Sequence, residues 1–143
     1  EYCVVRMKAD AEEKKTVRRR RIALEAAKQC GRGIVPCVRP TVSFSEMLAC
    51  AGAADIPLFC YEGAGTVSLR ACLKEALSRL AEACPGREPE IAIVIGSEGG
   101  FSGNEAESAR KSGLIPVGLG PRILRTETAS GMVLSCLIYE TEL

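Results

Sequence analysis

The sequence predicts an α/β fold built on a parallel sheet, and three observations carry that prediction. Strand-like and helix-like periodicities alternate along the chain. The run "IAIVIG" at 91–96 is apolar without polar alternation, the pattern of a strand buried on both faces, as in a parallel sheet. Three strand-like runs also end in glycine-rich turns, "CYEGAG" (60–65), "GSEGG" (96–100) and "GLGPRILRTET" (118–128). In an open α/β sheet, ligands bind outside the carboxyl ends of the strands.

Taken in order, "YCVVR" (2–6) reads as a short strand. Residues 11–31 read as a long amphipathic helix with Val17, Leu24 and Ala27 along one side, stopped by Gly31. "IVPCV" (34–38) is a possible strand, kept short or at an edge by Pro36. "SFSEMLACAG" (43–52) is a helix closed by Gly52, "IPLFCY" (56–61) a strand, and residues 68–84 a helix with apolar positions at 69, 73, 76, 77 and 80. After the strand at 91–96, Ser102 and Glu105 stand in the Ser-x-x-Glu relation of a capping box, which starts a helix that Gly113 ends. "LIPVGLG" (114–120) is the last strand and residues 126–140 the last helix, capped by Thr126 or Thr128. No repeat, linker or low-complexity segment interrupts the order, so residues 1–143 read as one domain.

Composition agrees. The chain is 47% apolar and 26% charged over 143 residues, the balance of a soluble globular protein with a core of its own. No apolar run approaches the roughly 20 residues of a membrane helix. The chain begins at Glu1 rather than Met, which suggests a missing upstream segment and leaves a leader peptide open. Eight cysteines (3, 30, 37, 50, 60, 72, 84, 136) include no C-x-x-C pair, and the chain has no His. Disulfides and a zinc site are therefore disfavoured, and the expectation is buried, reduced thiols in a cytoplasmic protein. Without His, proton transfer falls to Glu, Asp, Cys, Tyr or Lys.

Net charge is only +1, yet residues 12–32 hold eight basic and three acidic side chains, densest at "KKTVRRRR" (14–21). Two readings stand side by side: a solvated helix face, and a phosphate-binding surface for nucleic acid. At the glycine-rich turns, glycine permits positive φ and close backbone approach to a ligand. "GAGTVS" and "GLGPRI" lack the third glycine of a dinucleotide fingerprint, and no loop continues into G-K-[ST]. In the last loop, Arg122, Arg125 and Glu127 gather where strand gives way to helix, followed by the small residues Ala129, Ser130 and Gly131. A helix cap with a salt bridge would also account for that cluster.

Two stretches, "GSEGGFS" (96–102) and "LGPRILRTETA" (119–129), resemble the loops of the SPOUT methyltransferases, specifically the RsmE family, which methylates N3 of a uridine in 16S rRNA. "RRRRIALEAAKQCGRGIVPCV" (18–38) is a third, weaker match, and the likeness runs collinearly over about residues 1–140. Ser97 stands where the family usually has proline, and Arg19 where it often has an aromatic residue. The family's N-terminal RNA-binding barrel, with the first strand and helix of its catalytic domain, has no counterpart here, so the chain reads as an incomplete SPOUT domain.

The resemblance implies a parallel sheet with helices on both faces and a C-terminal trefoil knot, a homodimer, and S-adenosylmethionine bound against the three loops. It implies cofactor contacts from Gly96, Leu119, Gly120 and Ile123, an apolar wall at Leu124, and contributions from Gly99, Gly100 and Thr128. Tyr61 joins them by position only. Gly96, Gly99 and Gly100 would then be backbone clearance for the cofactor. Arg125 would stabilise the uracil anion or grip the target phosphate. Glu98 or Glu127 would accept the N3 proton, although both would serve equally as loop-holding acceptors of backbone N–H bonds. Arg18, Arg19, Arg20, Arg21 and Arg32 would contact RNA. Two other classes are a knotted methyltransferase acting on tRNA or another base, and a non-catalytic RNA-binding module.

Overall fold

The computed structural model describes residues 9–142, with side chains from Glu12 onward. The expected strand at 2–6 lies outside the described residues. The described chain divides into two compact units, residues 9–44 and residues 45–142.

The first unit is dominated by α1 (Ala9–Gln29). A Schellman closure ends it: Gly31 takes φ +71° and the Arg32 amide donates to the Ala27 carbonyl at 2.9 Å. Thr16 and Ala27 are buried, whereas Val17 is 59% and Leu24 39% exposed, which corrects the expected apolar side. The covered face is the stripe Glu12, Thr16, Ala23 and Ala27, spaced four and seven residues apart, so it is narrow and small rather than branched and bulky. Residues 34–38 form no strand; Pro36 removes a donor there, and the Val38 carbonyl accepts instead from Arg20 Nε at 2.9 Å.

In the second unit, α2 (Phe44–Gly52) precedes a sheet made of β1 (Ile56–Cys60), β2 (Val67–Ser68), β3 (Ile91–Val94) and β4 (Ile115–Gly118). All pairs are parallel and the spatial order is β2-β4-β1-β3. The interior strands are therefore β4 and β1; in β1, Leu58 sits between Ile93 and Ile115 and Ile56, Leu58 and Phe59 are fully buried. Among the described residues β3 is an edge strand. Only Val94 of its four residues is buried, contrary to the expectation for 91–96. An uninterrupted apolar run signals a sheet strand, but it does not say which strand is central.

Helices α3 (Leu69–Ala83) and α5 (Thr126–Thr141) cover one sheet face, packing Leu73, Cys72 and Ala76 with Val133 and Leu137 against Ile56, Leu58 and Val117. The other face presents Phe59, whose ring lies 4.3 Å centre to centre from Phe101 at the entry to α4 (Gly103–Lys111). The α4 capping box is complete: Glu105 N–H donates to Ser102 Oγ at 3.1 Å and Ser102 N–H to Glu105 Oε2 at 2.8 Å. At α5 the N-cap is Arg125, without a side-chain cap bond. Neither Thr126 nor Thr128 caps that helix, because the Thr126 hydroxyl is used elsewhere.

The expectation of buried thiols is also corrected. Of the seven described cysteines only Cys72 is buried, Cys60 and Cys136 are half-buried, and Cys30, Cys37, Cys50 and Cys84 are exposed. Most of the exposed ones lie at helix ends or in the loop after α1, where the apolar periodicity has run out.

At the foot of β1 and β3, Asp55 Oδ2 accepts from the Glu90 amide at 2.8 Å and Oδ1 pairs with Arg87. The amide bond first, and the guanidinium second, hold the Asp55 carboxyl below its usual 3.8. Stability from a depressed carboxyl is fully present above the unfolded value and lost as pH falls through the folded one. Asp55→Asn is therefore expected to lower the urea midpoint at about pH 6, with the gap to wild type closing as pH falls below the unfolded value of 3.8 and through the lowered folded one. A gap independent of pH would contradict this.

Candidate functional site

Because β1, β3 and β4 are parallel and adjacent, their carboxyl ends fall on one edge. The loops leaving them enclose a cleft of about 300 Å³, the lower end of the range for small-molecule sites. From β1 come Cys60, Tyr61, Glu62 and Thr66; from β3 Ile95, Gly96, Ser97, Gly100 and Phe101. The β4 side supplies Gly118 to Leu124, then Thr126 and Ala129. The three glycine-rich turns picked out in the sequence thus form one concavity.

Hydrogen bonds tie the loops to one another. The Tyr61 amide donates to the Val117 carbonyl at 3.0 Å, and Thr126 Oγ1 to the Gly96 carbonyl at 3.0 Å. Arg110 of α4 donates to the Ala64 carbonyl at 3.0 Å, holding the first loop from outside. The 97–100 turn closes on itself through the Gly100 amide and the Ser97 carbonyl, 2.9 Å apart.

Two glycines are needed by the chain itself. A β-carbon on Gly96 would stand 3.1 Å from Gly100 Cα and 3.2 Å from the Phe101 ring. Gly100 adopts φ +67°, and a β-carbon there would meet Glu62 Oε1 at 2.8 Å. Their bareness is therefore required by the turn and the neighbouring carboxylate as well as by any ligand that lies against them.

Of the expected cofactor contacts, Tyr61, Gly96, Gly100, Leu119, Gly120, Ile123 and Leu124 line the cleft. Gly99 and Thr128 do not, and both are exposed. Arg125, Glu98 and Glu127 are exposed and flank lining residues without lining the cleft themselves. In the other unit, Arg19 pairs with Glu12 at 2.9 Å and Arg20 bonds the Val38 carbonyl. Arg18, Arg21 and Arg32 are exposed.

Sequence reasoning missed Glu62, Thr66, Phe101 and Thr126 as lining residues. The sequence marks the loop that carries Glu62, but only the fold brings that carboxylate against Gly100. Burial pushes the Cys60 thiol up to about 11, so it faces the cleft as a neutral thiol, not a nucleophile.

Residues 1–138 match the family model described as an RNA methyltransferase domain. The chain belongs to that family. Among relatives of this RNA methyltransferase domain, the ribosomal RNA small subunit methyltransferase E of Bacillus subtilis is 36% identical over 143 residues, 98% of this chain and 53% of its own. A Legionella pneumophila methyltransferase solved in complex with bound SAM superposes with TM-score 0.81 at 31% identity, covering 98% of this chain and 52% of that one. The ribosomal RNA small subunit methyltransferase E of Neisseria gonorrhoeae, bound to S-adenosyl methionine, gives 0.74 at 26% identity, with 97% and 52% covered. The chain thus spans about half the length of the relatives it matches.

Proposed function

We propose that this chain is the cofactor-binding and catalytic part of an S-adenosylmethionine-dependent methyltransferase that modifies N3 of a uridine in 16S rRNA. The observation that carries the reading is the cleft at the sheet's carboxyl edge, walled by the 119–124 loop. Its chemistry fits the cofactor. Leu119, Ile123, Leu124 and Phe101 offer an apolar wall for a purine, the glycine-rich turns offer backbone groups, and Glu62 and Arg122 offer one charge of each sign. S-adenosylmethionine, when bound, supplies the methyl group and a neutral thioether leaving group.

The chain's own contribution is mostly positioning. Gly96, Leu119, Gly120 and Ile123 hold the ligand through backbone atoms. Arg125 stabilises the uracil anion or its phosphate, and Glu98 or Glu127 takes the N3 proton, whose loss takes about 1.4 kcal/mol for each pKa unit above ambient pH. Full turnover by an Arg125→Ala protein would remove that role. The target is tested by nucleoside analysis of small-subunit rRNA after incubation with enzyme and labelled cofactor. N3-methyluridine is the expected product; label in another nucleoside would refute the uridine assignment.

The C-terminal segment is read as a trefoil knot, supported by β4 inserting between β1 and β2 and by the Thr126–Gly96 tether. The protein is read as a homodimer acting in the cytoplasm. Support for the dimer comes from α5, which exposes Met132, Leu134, Ile138 and Tyr139. Light scattering should return twice the chain mass, and Leu134→Asp should reduce it to one; a monomeric wild type would contradict the dimer.

RNA contact is assigned to the basic helix, with its arginines divided by their bonds. Among the described residues Arg18, Arg21 and Arg32 are available for phosphate, whereas Arg19 pairs with Glu12 along the same helix and Arg20 ties α1 to the Val38 carbonyl. Replacing Arg18 and Arg21 by Ala is expected to weaken RNA binding and reduce its salt slope by roughly 1–2, one phosphate for each arginine. Unchanged affinity would count against the assignment.

A further inference from the structure

We infer that Glu62 makes the cleft selective for the charged sulfonium cofactor over its neutral demethylated product, a role that rests on the cofactor reading above. Among the described residues Glu62 is the one carboxylate lining the cleft, and it carries no hydrogen bond or ion pair there. Its position is fixed from one side: Oε1 would sit 2.8 Å from a β-carbon at Gly100, so the carboxylate rests on the bare backbone of the turn. The loop bearing it is held by Arg110 through the Ala64 carbonyl.

Size turns that placement into selectivity. A space of about 300 Å³ is roughly 8 Å across, one Debye length at physiological salt. A positive charge bound in the cleft therefore lies within about one Debye length of the carboxylate and is attracted by it, more weakly than in a buried pair because Glu62 is exposed. The amino-acid ends of cofactor and product are the same zwitterion, so the sulfonium is the charge by which they differ. Arg122, the one cation of the lining, opposes this effect; both side chains are exposed, but Arg122 can carry its charge into water on a longer stem, whereas the Glu62 carboxylate is seated beside Gly100 in the turn. The carboxylate is the better-placed of the two. Because the transferred methyl takes the sulfonium charge with it, the same contact weakens when the reaction is over and favours product release.

The test is calorimetric titration of wild-type, Glu62→Gln and Glu62→Asp chains with S-adenosylmethionine and S-adenosylhomocysteine, each variant first shown by circular dichroism to be folded. Glu62→Gln is expected to weaken binding of the sulfonium about fivefold, change homocysteine-product binding by less than twofold, and leave Glu62→Asp close to wild type. Equal weakening of both ligands, or of neither, would overturn the inference while leaving the cofactor reading intact. So would a lowered sulfonium preference in Arg122→Gln, where the charge removed has the opposite sign. Failure of the wild-type chain to bind either ligand would instead overturn the cofactor reading, and the inference with it.

Discussion

Gly100→Ala is expected to lower affinity for S-adenosylmethionine by at least tenfold while the protein stays folded. Two effects act together. The residue sits at φ +67°, where an L side chain adds roughly 1–2 kcal/mol of backbone strain. The new methyl would also stand 2.8 Å from Glu62 Oε1, so either the turn or the carboxylate must move, and both line the cleft. Gly103→Ala is the control. Its β-carbon meets nothing within 4 Å and its φ is not positive, so binding should be unchanged. Titration of both variants checks this, and wild-type affinity in Gly100→Ala would show that the turn does not shape the site.

Phe59→Ala should be strongly destabilising. Phe59 is fully buried on the interior strand β1 and packs at 4.3 Å, centre to centre, on Phe101. Truncating a buried Phe typically costs about 3–5 kcal/mol, transfer and cavity together. A typical domain has only about 5–15 kcal/mol in total. The melting temperature is expected to fall by on the order of 10 °C. Phe101 also closes on Gly96, so cofactor affinity should fall even where the chain is still folded. A loss below about 1 kcal/mol, seen by denaturant titration, would mean that the cavity collapses freely and that Phe59 does not brace the turn.

Much of the fold is legible in local chemistry. Ser102 and Glu105 announce α4 because a capping box is a contact between residues three apart, and Gly31 and Gly113 mark helix ends because φ beyond +60° is a local demand. The three glycine-rich turns could be read as one site because parallel strands put their carboxyl ends together. What escaped depends on long-range placement. The edge position of β3 is set by which strands pair with β1, and nothing in "IAIVIG" records that. β2 is two residues long, too short to show a period of two.

The same division holds within the site. Thr126 looks like a helix cap from sequence, yet its hydroxyl reaches a carbonyl thirty residues away. Glu62 was passed over in favour of Glu98 and Glu127, because motif matching highlights the turns that resemble a family and not the carboxylate folded against one of them. The buried stripe of α1 is legible only in part: Ala27 is buried as its spacing predicts, but Val17 and Leu24 are exposed and Thr16 is covered instead.

The central claim is that the cleft at the carboxyl edge of this sheet is a S-adenosylmethionine site formed by the chain itself. Isothermal titration of the folded chain with S-adenosylmethionine, and separately with NAD, tests it most directly. Saturable one-site binding of S-adenosylmethionine and none of NAD is the predicted result. No saturation by S-adenosylmethionine, or binding of NAD in its place, would contradict it.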